Sequence, residues 1–153
     1  MESVTLRDNS SDDRAGPASV RIAARPAAVA DARRAASAAT ARTGVQPDRI
    51  DDLVIAVSEA CTNAIEAQAR AGVATPIEVI YGRSDMLFEV QVRDRGDGFA
   101  PGSLPVRPPL EDPDHLAIER GWGIQLMREL VDELVFDLTD RGTRVLLRVS
   151  LSS

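Results

Sequence analysis

Residues 47–72 read PDRIDDLVIAVSEACTNAIEAQARAG, and the organisation of the chain can be worked outward from them. Pro47-Asp48 opens a helix, because a proline at the first helical position gives up an N–H that would lack a partner anyway. Gly72 closes it, since glycine adopts the left-handed conformation of a helix end without steric cost. At about 100° per residue, Ile50, Leu53, Val54, Val57, Cys61 and Ala64 fall on one apolar face. Glu59 and Asn63 are i, i+4 neighbours on the opposite side, together with Asp52, Ile55 and Ala56.

Upstream, residues 1–16 are polar, charged and without period, and are expected to form a flexible tail. Val20, Ile22 and Ala24 alternate as a short strand that ends before Pro26. The alanine- and arginine-rich run from Pro26 to Thr43 predicts a helix stopped by Gly44. Downstream, Ile77–Tyr81 and Met86–Val92 read as two strands joined by a turn at Gly82–Asp85. Residues 94–120 hold five of the nine prolines and three of the ten glycines with little apolar period, and a stretch of that kind inside a compact domain is usually functional. Ile124, Leu126, Met127, Leu130, Val131 and Leu134 then recur at helical spacing. Glu133–Asp140 and Thr143–Leu151 close the chain as a hairpin. The order predicts an α+β fold, a two-layer sandwich of helices on one face of a mostly antiparallel sheet, with residues 17–153 as its single domain.

Composition narrows the chemistry. The chain has 153 residues, of which 44% are hydrophobic and 27% charged, enough for a sizeable core without disulfides. One cysteine and one histidine, Cys61 and His115, exclude a disulfide and the multi-thiolate or multi-histidine zinc sites. A net charge of −6 argues against direct nucleic-acid binding through a global positive field. All 18 basic residues are arginine. Without lysine there is no P-loop lysine, no lysine of the eukaryotic protein-kinase type and no Schiff base. Phosphate chemistry must use arginine, backbone N–H groups or metal. No apolar run approaches the roughly 20 residues that span a membrane, and no signal-peptide core is present, so a cytoplasmic protein is expected.

Four features could carry chemistry, and each has an ordinary alternative. Glu59 and Asn63 could form a solvated helix face, or a general base beside an amide oxygen suited to Mg²⁺. Asp94-Arg-Gly96-Asp-Gly98, at the end of a hydrophobic strand, is either a glycine-rich turn or a carboxylate for an adenine amino group. In the second case the glycines let the chain pass close to the base. Arg120-Gly121-Trp122-Gly123, expected where a helix begins, is either a flexible loop or a set of N–H groups for phosphate. Arg120 would there add a planar cation. Gly142-Thr143 by itself means only a hairpin turn.

In this order and spacing the four pieces resemble the GHKL ATPase superfamily, with its Bergerat-type ATP-binding fold, over roughly residues 17–151. Ser58-Glu-Ala-Cys-Thr-Asn-Ala-Ile65 looks like the N box and Asp94–Gly98 like the DxGxG box. Gly121-Trp-Gly123 matches the next glycine pair, and Gly142-Thr143 the final GT pair. VSEACTNAIE and ERGWGIQLMRELVDEL are most similar to bacterial anti-sigma-factor serine/threonine kinases of partner-switching systems. The chain departs from that family shortly after Asn63, where a histidine or aromatic residue is frequent and Glu66-Ala67-Gln68 stands instead.

The resemblance implies ATP and Mg²⁺ as cofactors, Glu59 as catalytic base and Asn63 as the Mg²⁺ ligand. It implies that Asp94 and Gly98 recognise adenine, with Gly96 in the same box, and that Thr143 supports the contact. Arg120 would reach the γ-phosphate, beside Gly121 and Gly123, and residues 100–120 would form a lid. The implied partners are a STAS-domain anti-anti-sigma protein, which is phosphorylated on serine, and a sigma factor, which is sequestered. A homodimer is implied as well. Two alternatives stay open: a nucleotide-gated binding regulator without useful kinase activity, and the same kinase chemistry with an output other than sigma control.

Overall fold

The computed structural model describes residues 18–96, 115–139 and 142–151, with the side chains of 115–122 excepted. The expected 1–16 tail, the 100–114 part of the expected lid and the turn at 140–141 lie outside the described residues. Along the chain come β1 (Ala18–Ile22), a 3-10 turn (Pro26–Ala28), α1 (Val29–Ala41), α2 (Pro47–Ala71), β2 (Ile77–Arg83) and β3 (Leu87–Asp94). α3 (His115–Leu130), β4 (Glu133–Thr139) and β5 (Gly142–Ser150) follow. The five strands form one sheet in the order β1-β2-β3-β5-β4, and all four pairings are antiparallel. The helices cover one face, as an α+β two-layer sandwich requires.

Alternation along the strands assigns the faces. Phe88, Val90 and Val92 of β3 and Val145, Leu147 and Val149 of β5 join the core beneath the helices. On the other face Arg148 donates from Nε to the fully buried Glu89 at 2.6 Å and lies 3.1 Å from Glu133. This three-residue bridge fixes the register of the edge strand β4, because a one-residue slip would carry Glu133 to the opposite face.

α1 is held by small residues. Val29, Ala32, Ala36 and Thr40 are its buried stripe, and Tyr81 donates from its hydroxyl to the Ala32 carbonyl at 3.3 Å. α2 begins at Pro47 and ends on Gly72 with φ of 71°, where the Gly72 N–H reaches the Ala69 carbonyl and the Val73 N–H the Gln68 carbonyl. Its buried stripe is wider than the sequence face, because Ala56, Ala60, Ile65, Ala67 and Gln68 are buried too. α2 lies between α1 and α3 as well as on the sheet. The side that looked like a solvated face is in part an interhelical seam, and only Ile55 on it is an exposed large hydrophobe, at 45%.

One expectation is overturned. Residues 115–120 are helical, and α3 runs unbroken through Gly121-Trp122-Gly123, where the sequence had suggested a loop leading into a helix start. The segment His-Leu-Ala-Ile-Glu-Arg contains no breaker. Two glycines cost about 1 kcal/mol each in a helix interior, too little to stop a helix anchored by Ile124 and Met127 in the core.

Candidate active site

The site is assembled where α2 meets α3 and where β3 and β5 end beside each other. Glu59 lies in the middle of α2, half-buried. Gly123 of α3 is its neighbour across the seam: a Cβ built on that glycine would stand 2.7 Å from Glu59 Oε1. Asn63 follows one turn later on the same helix face. Its Nδ2 is buried and has no hydrogen-bond partner among the described residues, and a half-turn about χ2 would put the amide oxygen in the same place. A buried orphan of this kind costs about 1–3 kcal/mol, so it is a feature to be explained by a ligand.

Asp94 is the last residue of β3 and pairs in register with Thr143 of β5. It shares the helix-side face with Phe88, Val90 and Val92 and is 8% exposed. Its Oδ1 accepts the Gly96 N–H at 2.9 Å, which folds the chain back over the carboxylate. Thr143 is buried as well, and its Oγ1 is a second orphan without a hydrogen-bond partner among the described residues. A carboxylate and a partnerless hydroxyl side by side can together recognise a base edge that offers a donor and an acceptor.

Two glycines make this approach possible. At Gly96 a Cβ would sit 2.4 Å from the carbonyl carbon of Ala67 and 2.7 Å from the Gln68 nitrogen, so the loop after β3 rests directly on the α2 backbone. Gly142 has φ of 145°, and a Cβ there would come 2.0 Å from the Asp94 carbonyl oxygen. A cavity of about 580 Å³ opens at this end of the sheet, walled mainly on the face away from the helices by Arg21, Glu78, Arg93, Asp137 and Arg144; Asp94 and Thr143 reach it, and Glu59 and Asn63 do not line it.

The structure thus brings Glu59 to Gly123, Asn63 one turn from Glu59, and Asp94 beside Thr143 and Gly96. Gly98 and the side chain of Arg120 lie outside the described residues. Gly121 and Gly123 are interior to α3, so their N–H groups do not form a helix N-terminus. The motif reading missed Gln68, whose amide bonds to the backbone of Arg95; its signal was a polar residue in line with the apolar stripe of α2. Cys61, also on α2, takes no part: burial pushes its thiol from 9.0 up to about 12 and keeps it protonated. Among the described residues no three acidic, histidine or cysteine side chains form a metal-binding group. The two orphans and the glycine-lined approaches fit a nucleotide.

Comparison with known proteins agrees with the fold. The sequence profile of the histidine kinase-like ATPase domain matches residues 22–149. The chain is 36% identical to serine-protein kinase RsbW of Bacillus licheniformis over 126 residues, covering 80% of this chain and 78% of that protein. It is 34% identical to serine-protein kinase RsbW of Bacillus subtilis over 119 residues, covering 75% and 74%. Among solved structures, the RsbU and RsbW domains of a Mycobacterium tuberculosis protein superpose with a TM-score of 0.63 at 23% identity. That match covers 87% of this chain and 32% of the other, so this chain spans about a third of the larger protein. The SiaB-SiaC complex from Pseudomonas aeruginosa gives a TM-score of 0.58 at 14% identity, covering 87% and 88%. The two structural matches speak for the fold.

Proposed function

The chain belongs to the histidine kinase-like ATPase domain family, and from that premise we propose that it is an ATP-dependent serine/threonine-protein kinase of a partner-switching system. Its substrate is a serine on a STAS-domain anti-anti-sigma protein, and in its other state it sequesters a sigma factor as a homodimer. The observation that carries the kinase reading is Glu59 at the α2–α3 seam, one helical turn from the orphaned amide of Asn63. The named relatives are serine-protein kinases, which supports the choice of acceptor.

In the mechanism, Glu59 takes the proton of the serine hydroxyl as its oxygen bonds to the γ-phosphorus. The bond to the bridging oxygen breaks, and ADP carries away the electron pair. Asp94 accepts from the adenine amino group, and Thr143 Oγ1 supports that edge. Gly123 leaves Glu59 its room. Asn63 would hold Mg²⁺, whose charge would offset that of the phosphates. Arg120 would steady the γ-phosphoryl group. The chain does little covalent work beyond the proton, so positioning and charge neutralisation supply most of the rate. Incubation of the protein with labelled Mg-ATP and candidate STAS-domain proteins tests this: transfer of label to serine is expected, and binding of ATP without transfer to any of them would favour the nucleotide-gated regulator.

A further inference from the structure

Gln68 is a polar side chain that the nucleotide motifs leave without a task. It lies in the last turn of α2 and is fully buried. Its Nε2 donates to the Thr75 carbonyl at 2.6 Å and to the Val73 carbonyl at 3.3 Å. Its Oε1 accepts the Arg95 N–H at 2.8 Å, and its backbone carbonyl accepts the Val73 N–H at 2.9 Å. One residue thereby ties together the end of α2, the α2–β2 connection and the first residue after β3. Arg95 stands between Asp94 and Gly96, whose own hydrogen bond folds the loop. The loop is clamped to the last turn of α2 twice, by the Gln68 amide and by the contact of Gly96 with Ala67.

We propose that Gln68 is a positioning residue that sets the purine selectivity of the site by fixing the Asp94 loop. The proposal rests on the adenine reading of Asp94 given above. A carboxylate separates adenine, which offers an amino group, from guanine, which offers a carbonyl oxygen, only while it is held where that hydrogen bond forms. If the Arg95 N–H loses its partner, the backbone around Asp94 is free to retreat and to admit either base through water. Asn63 and Glu59 sit on the middle of α2 and do not depend on the clamp. Gln68 therefore governs the base-dependent part of binding and leaves the transfer step alone.

Gln68→Met keeps the length of the side chain and removes its hydrogen bonds, whereas Gln68→Glu keeps the acceptor for Arg95 and loses the donor to Thr75. ATP and GTP affinities are measured by calorimetry, with the melting temperature and the phosphotransfer rate at saturating ATP alongside. The expected result for Gln68→Met is ATP affinity lowered about tenfold, GTP affinity lowered less, and a saturated rate within about threefold of wild type. Gln68→Glu keeps the acceptor for Arg95 and is expected to hold the ATP-to-GTP ratio near that of wild type, with a lowered melting temperature because its second carboxylate oxygen faces the Thr75 and Val73 carbonyls. In Gln68→Met, an equal loss for ATP and GTP, or in both variants the loss of a cooperative melt, would make Gln68 a scaffold residue and overturn the proposal. Wild-type protein that binds no adenine nucleotide overturns the adenine reading itself, and the selectivity role with it.

Discussion

A Cβ atom built on Gly123 of α3 would stand 2.7 Å from Oε1 of Glu59 on α2. The atom it meets is the end of a flexible side chain, so an alanine there displaces the carboxylate and leaves the backbone in place. Glycine at 123 thus keeps the room in which Glu59 takes up its position.

Gly123→Ala is expected to separate stability from activity. Alanine is favoured over glycine in a helix interior by about 1 kcal/mol, so the melting temperature should hold or rise. Phosphotransfer should fall at least about tenfold, because a base moved by an ångström is misaligned, while ATP binding persists. Calorimetry and single-turnover transfer check the two halves. A full rate in a stable variant would remove the packing role of Gly123.

Gly96→Ala behaves in the opposite way. Its Cβ would meet backbone atoms of Ala67 and Gln68, which cannot rotate aside. The loop after β3 must lift from α2 and take Asp94 with it, at a cost of about 1–3 kcal/mol. Both the melting temperature and ATP affinity should drop, as a thermal melt with and without ATP would show.

Much of this was legible in the sequence, and the remainder has physical reasons. Pro47, Gly72 and the stripe of Leu53, Val57 and Cys61 defined α2 because caps and periodicity are local. The β2–β3 and β4–β5 hairpins were legible for the same reason. The width of the buried face of α2 was not, since Ala56 and Ala60 are small enough for either environment until α1 and α3 are placed beside them. The interior position of Gly121 and Gly123 was missed because glycine reads as a breaker, whereas the core contacts of Ile124 and Met127 decide the matter. The pairing of Asp94 with Thr143 is a register fact that joins positions 49 residues apart, and no local pattern carries it.

Thr143→Val tests the second orphan. The buried Oγ1 makes no hydrogen bond among the described residues, so a methyl of similar size relieves a desolvated hydroxyl. The protein without nucleotide should gain about 1 kcal/mol of stability, and its ATP affinity should fall. Urea unfolding and titration calorimetry read the two quantities. Loss of stability with unchanged affinity would place the role of Thr143 in the fold alone.

The buried thiol of Cys61 makes stability depend on pH at the alkaline end. Its pKa is raised by burial from 9.0 to about 12, so between those values the folded state keeps a proton that the unfolded state loses. Stability should be level with respect to this group below pH 9 and decline as pH rises towards 12. Tyr81, shifted upward by burial and then by Cys61, acts in the same direction. Cys61→Ala should weaken the alkaline decline, as urea melts at pH 8 and pH 10 would reveal. An identical decline in that variant would show that Cys61 does not drive it.

Whether the protein is a kinase that uses Glu59 as its base is decided most directly by phosphate transfer from Mg-ATP to a STAS-domain substrate, compared between wild type and Glu59→Gln. Glutamine keeps the size of the side chain and most of its hydrogen-bonding shape, and removes the proton acceptor. The account predicts a folded variant that binds Mg-ATP as wild type does and phosphorylates serine at least about 10²-fold more slowly, the scale of a lost general base. Transfer by Glu59→Gln at the wild-type rate would contradict it.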